Sequence, residues 1–428
     1  MEISKKAAVP ASEVMNIKKA SIVITGDEIL SGQTADTNSA YLSNKLVCIG
    51  IPVVSFYTVP DQAGAIVRAL KLAADDADIV IVTGGLGPTS DDLTRDAMAE
   101  FLECELIADE RILGKIEAYF ARRNVQMPAG CRAQAYIPAK AEALENTAGT
   151  APGMLAQVND KVVIALPGVP SEMEEMFEKA VSGRLKTTIE SQQQAIEIRK
   201  LKCFGAGESA IAERLGDICR RDGNPLVNFT VGDGVVTLHI VAAAEDRNRA
   251  GKLADAHEKL VREKIGELIY GRGEETLAQA AAQKLREKGK TVAAAESCTG
   301  GLLSKLLTDI AGASEYFLCG WVTYSNTAKL NELGICADII EKYGAVSAEA
   351  ASMMAKGARK KARADFAIGI TGIAGPGGGS EGKAVGLVYI AVDCDAGCET
   401  KRFIFCGQRR FIRLQAAQTA LNMLRLAL

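Results

Sequence analysis

Short apolar runs rich in β-branched residues alternate with amphipathic stretches over much of this chain, and no other feature constrains its fold as strongly. In the first part these runs are SIVITG, PVVSFYTV, ADIVIVTGG and KVVIALPG, with helix-like segments between them. Strands that are apolar on both faces are typical of parallel sheets covered by helices on each side. The sequence therefore predicts an α/β domain over residues 20–180, preceded by a flexible leader at 1–19.

Two further regions follow this domain. Residues 181–270 combine the strand-like runs AIEIRKLKCFG and VVTLHIVAAA with two amphipathic helical stretches, which predicts a small α+β domain. Residues 271–428 return to the first pattern, with TVAAAE, FAIGITG and VGLVYIAV as apolar strands. The predicted fold class is therefore α/β, with two α/β domains joined by a small α+β domain.

Charge, hydropathy and residue counts argue against several classes of protein. A net charge of −3 over 428 residues gives no overall field that would attract nucleic acid. No apolar run approaches the roughly 20 residues of a membrane-spanning helix. Eleven cysteines without a C-x-x-C pair, and only two histidines, argue against a zinc site. We therefore expect a cytoplasmic protein with free thiols that binds neither nucleic acid nor membranes.

A candidate nucleophile lies in the segment AAAESCTGG, residues 293–301. Ser297 follows a predicted strand and precedes a predicted helix. We expect the backbone N–H groups of Cys298, Thr299 and Gly300 to point outward there, as a cradle for an oxyanion or a phosphate. Ser297 is thus the candidate nucleophile, and Cys298 is the alternative at the same helix start.

The base for such a serine cannot be a nearby histidine, because His239 and His257 both lie in the middle region. In VTYSNTAK, Tyr324 ends a predicted strand and Lys329 falls in the first turn of the next helix. The helix dipole and burial would both lower the pKa of this lysine, so that it could deprotonate serine as in Ser–Lys hydrolases. Tyr324 could relay the proton or hold the nucleophile. The alternative is an exposed lysine and an ordinary capping serine.

A glycine-rich segment near the end of the chain, GGGSEGKA at residues 377–384, approaches a Walker phosphate loop. Ala384 replaces the required Ser or Thr, and a strand pattern follows where a helix is needed. This argues against an ATPase, although an anion-binding loop from Gly372 to Gly379 stays open. Arg409 and Arg413, one helical turn apart, could complete a phosphate pocket.

Two acidic, glycine-containing segments of the first domain also lie between a strand and a helix. They are TGDEILSGQTADTNS, residues 25–39, and TGGLGPTSDDLT, residues 83–94. Asp91 and Asp92 could bind a divalent metal that bridges phosphates, and the earlier segment adds Asp27, Glu28 and Asp36. An acidic pair at this position is equally typical of a solvated first helical turn. Ser90, in place of a last glycine, argues against a dinucleotide-binding Rossmann site.

Four motifs, AAAESCTGG, VTYSNTAK, GAVS and GITGIAGPGGG, resemble in this order the C-terminal domain of the competence/damage-inducible CinA family. Relatives of that domain include nicotinamide mononucleotide deamidases, so the resemblance implies hydrolysis of this nucleotide to nicotinic acid mononucleotide and ammonia, without a cofactor. It implies that Ser297, Tyr324 and Lys329 are catalytic. It implies a nucleotide pocket lined by Cys298, Thr299, Gly300, Thr371, Gly372, Gly375, Arg409 and Arg413. Ala384 stands where family members commonly have proline, which could loosen the fit of the ligand.

The first domain resembles the molybdopterin-binding fold, as it occurs at the front of the same family. There it resembles an ADP-ribose pyrophosphatase dependent on a divalent metal. The resemblance implies a ligand bound by Gly84, Gly85, Gly87 and Thr94, and Mg²⁺, Mn²⁺ or Co²⁺ held by Asp27, Glu28, Asp91 and Asp92. The middle region resembles the KH-like linker of the family without its G-x-x-G loop, which implies a dimerising rather than an RNA-binding role.

Together these features predict a homodimeric, bifunctional enzyme of pyridine nucleotide salvage that acts on nicotinamide mononucleotide and ADP-ribose. One alternative is a molybdopterin-binding protein with an inactive C-terminal domain, against which the presence of Ser297, Tyr324 and Lys329 argues. The other is a non-enzymatic protein of competence or DNA damage. The near-neutral charge argues against direct binding of nucleic acid in that role.

Overall fold

The computed structural model describes residues 19–189, 195–220 and 223–428. All of the predicted leader except Lys19 lies outside these residues. The chain divides into two compact units: one holds the residues up to Glu197 with Ala243–Ala250, and the other holds Ile198–Ala242 with Gly251–Leu428. The predicted mixed α/β class is confirmed.

The first unit contains an α/β domain whose central sheet has six strands. Its strands are β1 (Ala20–Thr25), β2 (Val53–Val59), β3 (Ile79–Thr83), β4 (Leu106–Ala108), β5 (Tyr136–Pro138), β6 (Ala141–Leu144), β7 (Gly153–Val158) and β8 (Lys161–Leu166). Its helices are α1 (Asp27–Leu30), α2 (Asn38–Cys48), α3 (Ala63–Asp76), α4 (Thr94–Phe101), α5 (Glu110–Ala121), α6 (Pro170–Met176) and α7 (Ser182–Ile189). β4 and β5 form a separate two-stranded sheet.

The strand order in the six-stranded sheet is β2-β1-β3-β8-β7-β6, and the first four strands are parallel. β1 and β3 are buried along their whole length, which explains their unbroken apolar sequences. The chain runs from β1 to β2 on one side of β1, and β3 with all later strands of the sheet lies on the other side, so the switch point lies between β1 and β3. Open α/β sheets bind ligands at such a switch point, outside the carboxyl ends of the strands.

The middle of the chain forms a four-stranded sheet in the order β10-β11-β9-β12. Its elements are β9 (Ala195–Cys203), α8 (Glu208–Leu215), β10 (Leu226–Gly232), β11 (Val235–Ala244), α9 (Arg247–Ile265) and β12 (Ile269–Arg272). β11 pairs antiparallel with β10. This matches the predicted α+β character of the region.

The last part of the chain forms a five-stranded sheet in the order β14-β13-β15-β16-β17. Its strands are β13 (Val292–Glu296), β14 (Phe317–Val322), β15 (Phe366–Gly372), β16 (Leu387–Cys394) and β17 (Gly397–Ile404). Its helices are α10 (Leu277–Glu287), α11 (Leu302–Thr308), α12 (Asn326–Leu333), α13 (Ala337–Tyr343), α14 (Ala348–Ala362) and α15 (Arg409–Ala427). β13 is parallel to both neighbours, so the switch point lies between β13 and β15.

The eleven cysteines, all within the described ranges, are free thiols, as the sequence predicted. Among the helices of the described residues, none combines the length and the apolar character that a membrane crossing requires.

Candidate active site

The C-terminal site lies where β13 and β14 end side by side. Glu296 pairs with Val322, so the next residues of the two strands, Ser297 and Thr323, leave the sheet together. The Thr323 N–H donates to the Glu296 carbonyl at 2.8 Å, and the Ser297 N–H donates to Ile370 of β15 at 3.0 Å. These bonds hold the backbone of Ser297 at the edge of the sheet.

Helix α12 brings Lys329 back over these strand ends. The helix begins after Ser325, whose hydroxyl accepts the N–H of Ala328 at 3.1 Å. Lys329 is 1% exposed and Ser297 is 8% exposed, so both side chains are inside the protein. The distance from Lys329 Nζ to Ser297 Oγ is 3.0 Å. The structure thus brings the predicted nucleophile and the predicted base into contact.

The other contacts of Lys329 determine what its amine can do for Ser297. Nζ donates to the carbonyl of Thr323 at 2.8 Å and lies 3.4 Å from the carbonyl of Tyr324. A carbonyl oxygen can only accept, so a neutral amine uses its two N–H groups there and keeps its lone pair for the Ser297 hydroxyl. Burial lowers the pKa of Lys329 from its ordinary value of 10.5, which favours this neutral form.

Glu296 is a buried residue of the site that the sequence interpretation missed. Its carboxylate is fully buried and accepts the N–H groups of Gly301 and Leu303 at 3.0 Å and of Ser304 at 2.8 Å. The Ser304 hydroxyl donates to it as well, at 2.7 Å. Gly301 precedes α11 and has no side chain to cap it, so Glu296 caps this helix from the end of β13 and fixes the turn 297–301. The sequence feature that could have revealed this role is the acidic residue directly before the candidate serine.

We expect the Glu296→Ala exchange to destabilise the C-terminal domain by about 3 kcal/mol, because it leaves several buried donors without an acceptor. The change is measured by urea unfolding followed at Trp321 of β14, the single tryptophan of the chain. Glu315→Ala is the matched control, since Glu315 is an exposed partner of Arg286. An unchanged unfolding midpoint for Glu296→Ala would contradict this role.

The turn after β13 differs from the prediction in one respect. We expected the Gly300 N–H to point outward, but it donates to the carbonyl of Ser297 at 3.1 Å. The cause is a tight turn in which Gly300 and Gly301 both have positive φ, so that α11 begins only at Leu302. The backbone hydrogen bonds of the described residues include none that is donated by the N–H groups of Cys298 or Thr299. These two remain as candidate donors to an oxyanion.

Tyr324 was expected to relay the proton or to hold Ser297, and this geometry does not support either role. Its side chain is 62% exposed, and its hydroxyl accepts a hydrogen bond from Arg409 at 3.1 Å. Its backbone carbonyl, rather than its hydroxyl, reaches Lys329. The strand end turns this side chain outward, so Tyr324 belongs to the rim of the site.

The two arginines of α15 connect separate parts of the rim. Arg409 donates to the carbonyl of Gly375 at 2.7 Å as well as to Tyr324. Arg413 donates to the carbonyl of Thr299 at 2.6 Å, and a Cβ on Gly300 would lie 3.3 Å from its guanidinium. Arg409 therefore lies beside the glycine-rich loop and Arg413 beside the turn, and the binding of a phosphate by them stays a prediction.

Several predicted pocket residues, and Lys383 of the Walker-like segment, contact other parts of the protein rather than an open pocket. The Thr371 hydroxyl is buried and donates to the carbonyl of Ala345 at 2.7 Å, so it does not face a ligand. Gly372 lies against β16, where a Cβ would come within 2.7 Å of the Leu387 carbonyl. Lys383 of the Walker-like segment donates to the carbonyl of Tyr343 at 2.8 Å. Cys298 is buried, which raises its thiol pKa to about 11 and disfavours the thiolate.

A second candidate site lies at the switch point of the first unit. It is a cavity of about 530 Å³ beside the ends of β1 and β3, and Gly84, Gly85 and Gly87 line it as predicted. Gly84 has φ +105°, and a Cβ there would lie 2.5 Å from the Thr25 carbonyl, so only glycine allows these strand ends to approach. Thr94 is fully buried and its hydroxyl donates to the Gly84 carbonyl at 2.8 Å, so it supports the loop rather than contacting a ligand.

The four predicted metal ligands are not brought together. Asp92 accepts the N–H groups of Gly87 and Thr89 at 2.7 and 2.8 Å, so its carboxylate holds the loop. Glu28 and Asp91 line the cavity, but Asp27 is not among its lining residues. Within residues 19–189, 195–220 and 223–428, no three Asp, Glu, His or Cys side chains form a group that could hold a metal ion. The described residues therefore contain no preformed group of ligands for an ion, and the binding of a divalent metal stays a prediction.

The charges of this cavity are nevertheless distinctive. Of the described residues that line it, six are carboxylates and none is a lysine or an arginine: Glu28, Asp36, Asp61, Asp91, Asp92 and Glu172. Burial, followed by the charges of Asp27 and Glu28, raises the pKa of Asp61, although hydrogen bonds to it act in the opposite direction. A free diphosphate would be repelled here unless a cation entered with it.

The two units thus define a multidomain α/β protein with a candidate ligand site at the switch point of each large sheet. Three family models match it: the probable molybdopterin binding domain over residues 21–187, the damage-inducible protein CinA KH domain over 198–271, and the CinA C-terminal domain over 274–428. The chain belongs to the CinA family.

Similar proteins cover nearly the whole chain. A putative competence-damage inducible protein of Caldicellulosiruptor bescii is 42% identical over 95% of this chain and 98% of its own length. A CinA-like protein of Kosmotoga olearia is 41% identical over 96% of this chain and 99% of its own. Among solved structures, a competence/damage inducible protein of Agrobacterium tumefaciens is 44% identical over 35% of this chain and 91% of that one, with a TM-score of 0.34.

Proposed function

We propose that the C-terminal domain is an amidohydrolase that converts nicotinamide mononucleotide to nicotinic acid mononucleotide and ammonia. The observation that carries this proposal is the 3.0 Å contact between the buried Lys329 amine and the Ser297 hydroxyl. A buried amine whose other contacts are carbonyls is suited to remove a proton from serine. The resemblance of the surrounding motifs to nicotinamide mononucleotide deamidases supplies the substrate.

In this mechanism Ser297 Oγ attacks the carboxamide carbon while its proton moves to Lys329 Nζ. The N–H groups of Cys298 and Thr299 stabilise the oxyanion of the tetrahedral intermediate. Collapse of the intermediate breaks the C–N bond, and Lys329 returns the proton to the departing nitrogen, which leaves as ammonia. Water then hydrolyses the acyl-enzyme with Lys329 again as the base. Arg409 and Arg413 bind the nucleotide phosphate beside the turn.

The test is to measure both products and the pH dependence with the full chain. We expect ammonia and nicotinic acid mononucleotide in equal amounts, and kcat/KM that rises with pH as Lys329 loses its proton. Because burial lowers the pKa of Lys329, this rise should occur below the ordinary lysine value of 10.5. A parent protein that releases no ammonia, or a rise only at or above 10.5, would contradict the proposal.

For the first unit we propose hydrolysis of ADP-ribose, supported by the glycine-lined cavity at its switch point. The carboxylates do not form a ready-made ion site, but Mg²⁺ bound to nucleotides takes only one or two carboxylates and completes its shell with phosphate oxygens and water. Glu28 and Asp91 would hold it. When bound, the ion would neutralise the diphosphate charge and polarise the phosphorus. Release of AMP and ribose 5-phosphate, tested with Mg²⁺, Mn²⁺ and Co²⁺ in turn, is the expected result, and intact ADP-ribose with all three would contradict it.

The alternative function, molybdopterin binding, is compatible with the fold of the first domain, which matches the family model of the probable molybdopterin binding domain. An inactive C-terminal domain is harder to reconcile with a buried lysine held against a serine, because burying an amine without a function is costly. The homodimer and the cytoplasmic location stay predictions.

A further inference from the structure

Two buried amide side chains line the cavity of the first unit and were not among the predicted site residues. Asn38, at the start of α2, is 8% exposed, and Gln134, in the short helical turn Ala129–Ala135, is 1% exposed. Within the part of the chain that the structure describes, Asn38 Oδ1 and Gln134 Oε1 are buried and accept no hydrogen bond. Buried acceptors without a donor are rare in native proteins and call for an explanation.

The orientation of the Asn38 amide follows from its neighbours. Its Nδ2 donates to the Gly168 carbonyl at 2.8 Å and to Thr83 Oγ1 at 3.0 Å. Thr83 Oγ1 gives its own hydrogen to the Pro167 carbonyl at 2.9 Å, so toward Asn38 it can only accept. Both neighbours therefore require the amide nitrogen, and the oxygen is the atom left without a partner.

The Gln134 amide is oriented in the same way. Its Nε2 donates to the Leu86 carbonyl at 3.3 Å, and a flipped amide would set oxygen against oxygen. The same carbonyl accepts a shorter hydrogen bond, 2.8 Å, from Arg95. Leu86 thus keeps a donor when Gln134 is replaced, which makes Gln134 the better residue to test.

The rest of the cavity wall shows which ligand group could satisfy these oxygens. The charged side chains that the described residues contribute to it are carboxylates, so they too accept hydrogen bonds rather than donate them. A phosphate brings only acceptors and negative charge, so it cannot pair with the two amides. A ribose hydroxyl or an amino group of a base brings donors without negative charge.

We propose that Asn38 and Gln134 are specificity-determining residues that accept hydrogen bonds from a neutral, donor-rich group of the ligand. The inference rests on the proposed ADP-ribose activity only for the choice of probe.

The first experiment measures binding calorimetrically, with Mg²⁺ and the non-hydrolysable α,β-methylene analogue of ADP-ribose. We expect Gln134→Met and Asn38→Ala to bind this analogue about 10-fold to 100-fold more weakly, because each loses one buried hydrogen bond to the ligand. Gln157→Met, at an exposed position of β7, is the control and should bind as the parent does. The affinities of analogues without the ribose 2′-hydroxyl or without the adenine amino group show which of these donors the two amides bind. Unchanged affinity in both pocket variants would overturn the proposal.

The second experiment compares the ligand-free Gln134→Met variant with the parent by scanning calorimetry of the full chain. An acceptor reserved for a ligand contributes nothing to folding, so we expect the variant to melt at the same temperature or higher. A lowered melting temperature would mean that Gln134 is structural and would overturn the proposal. If the parent does not bind the analogue, the ADP-ribose activity fails, and this second comparison still decides the role of Gln134.

Discussion

Exchange of Lys329 for arginine should reduce the hydrolysis of nicotinamide mononucleotide by about 10³-fold or more, since it removes the base of a covalent mechanism. A guanidinium keeps its charge at every pH at which proteins are folded, so it cannot take the proton of Ser297. Arginine supplies a permanent positive charge, so loss of activity would show that Lys329 contributes proton transfer rather than electrostatic binding of the substrate. The measurement is steady-state ammonia release, with Trp321 fluorescence to verify that the domain is folded.

Because the larger arginine has to fit a position that is 1% exposed, Lys329→Met provides the second test. Its activity loss should equal that of the arginine variant. The pKa of Lys329 is lowered in the folded state, so the unfolded chain binds the extra proton and burial of this lysine costs stability below its unfolded pKa. The methionine variant should therefore resist urea at least as well as the parent at neutral pH, with an advantage that shrinks as the pH rises toward 10.5. Retained activity in Lys329→Met would exclude the lysine as the base.

Ser297→Ala should likewise lose about 10³-fold or more of the activity, whereas Cys298→Ala should retain most of it. The two side chains are adjacent in the chain, so the pair distinguishes the nucleophile from its neighbour. Burial raises the pKa of Cys298 to about 11, so its reactive thiolate is scarce at neutral pH. Ser297 instead has a base within 3.0 Å.

Mass spectrometry of quenched reactions gives an independent reading of the same question. An acyl adduct on the peptide with Ser297 is expected in the parent and absent from Ser297→Ala. Activity that survives in Ser297→Ala and disappears in Cys298→Ala would assign the nucleophile to the thiol and overturn the serine mechanism.

Much of the fold follows from local sequence pattern. The apolar runs that became β1, β3 and β13 are buried on both faces, and this alone requires a sheet covered by helices. Ser297 and Lys329 could be predicted because each stands at a strand end or in a first helical turn, and the ends of neighbouring parallel strands meet at one edge. Their distance could not be predicted, since it depends on the pairing of β13 with β14.

The predicted roles that the structure does not support belong to polar side chains that form hydrogen bonds with other groups than the expected ligand or nucleophile. Asp92 and Thr94 are residue types that bind metals and phosphates, but the loop itself uses their oxygens. Tyr324 turns away from the site toward Arg409, which is 85 residues later in the chain. Such contacts depend on tertiary structure, and spacing along the sequence carries no record of them. Glu296 is different, because the helix it caps begins only six residues later and its place directly before Ser297 was a local signal.

The Ser297–Lys329 contact joins residues only 32 positions apart. Ser297 follows the first strand of the crossover β13–α11–β14, and Lys329 lies in α12, directly after its second strand. Crossovers of this kind are almost always right-handed, so the chain has essentially one way to bring the two strand ends together. The nucleophile and its base can therefore meet early in folding, before the more distant α15 adds its arginines. An insertion in the loop after α11 would be tolerated, whereas a one-residue slip of β14 against β13 would turn every side chain of the strand over and separate the pair.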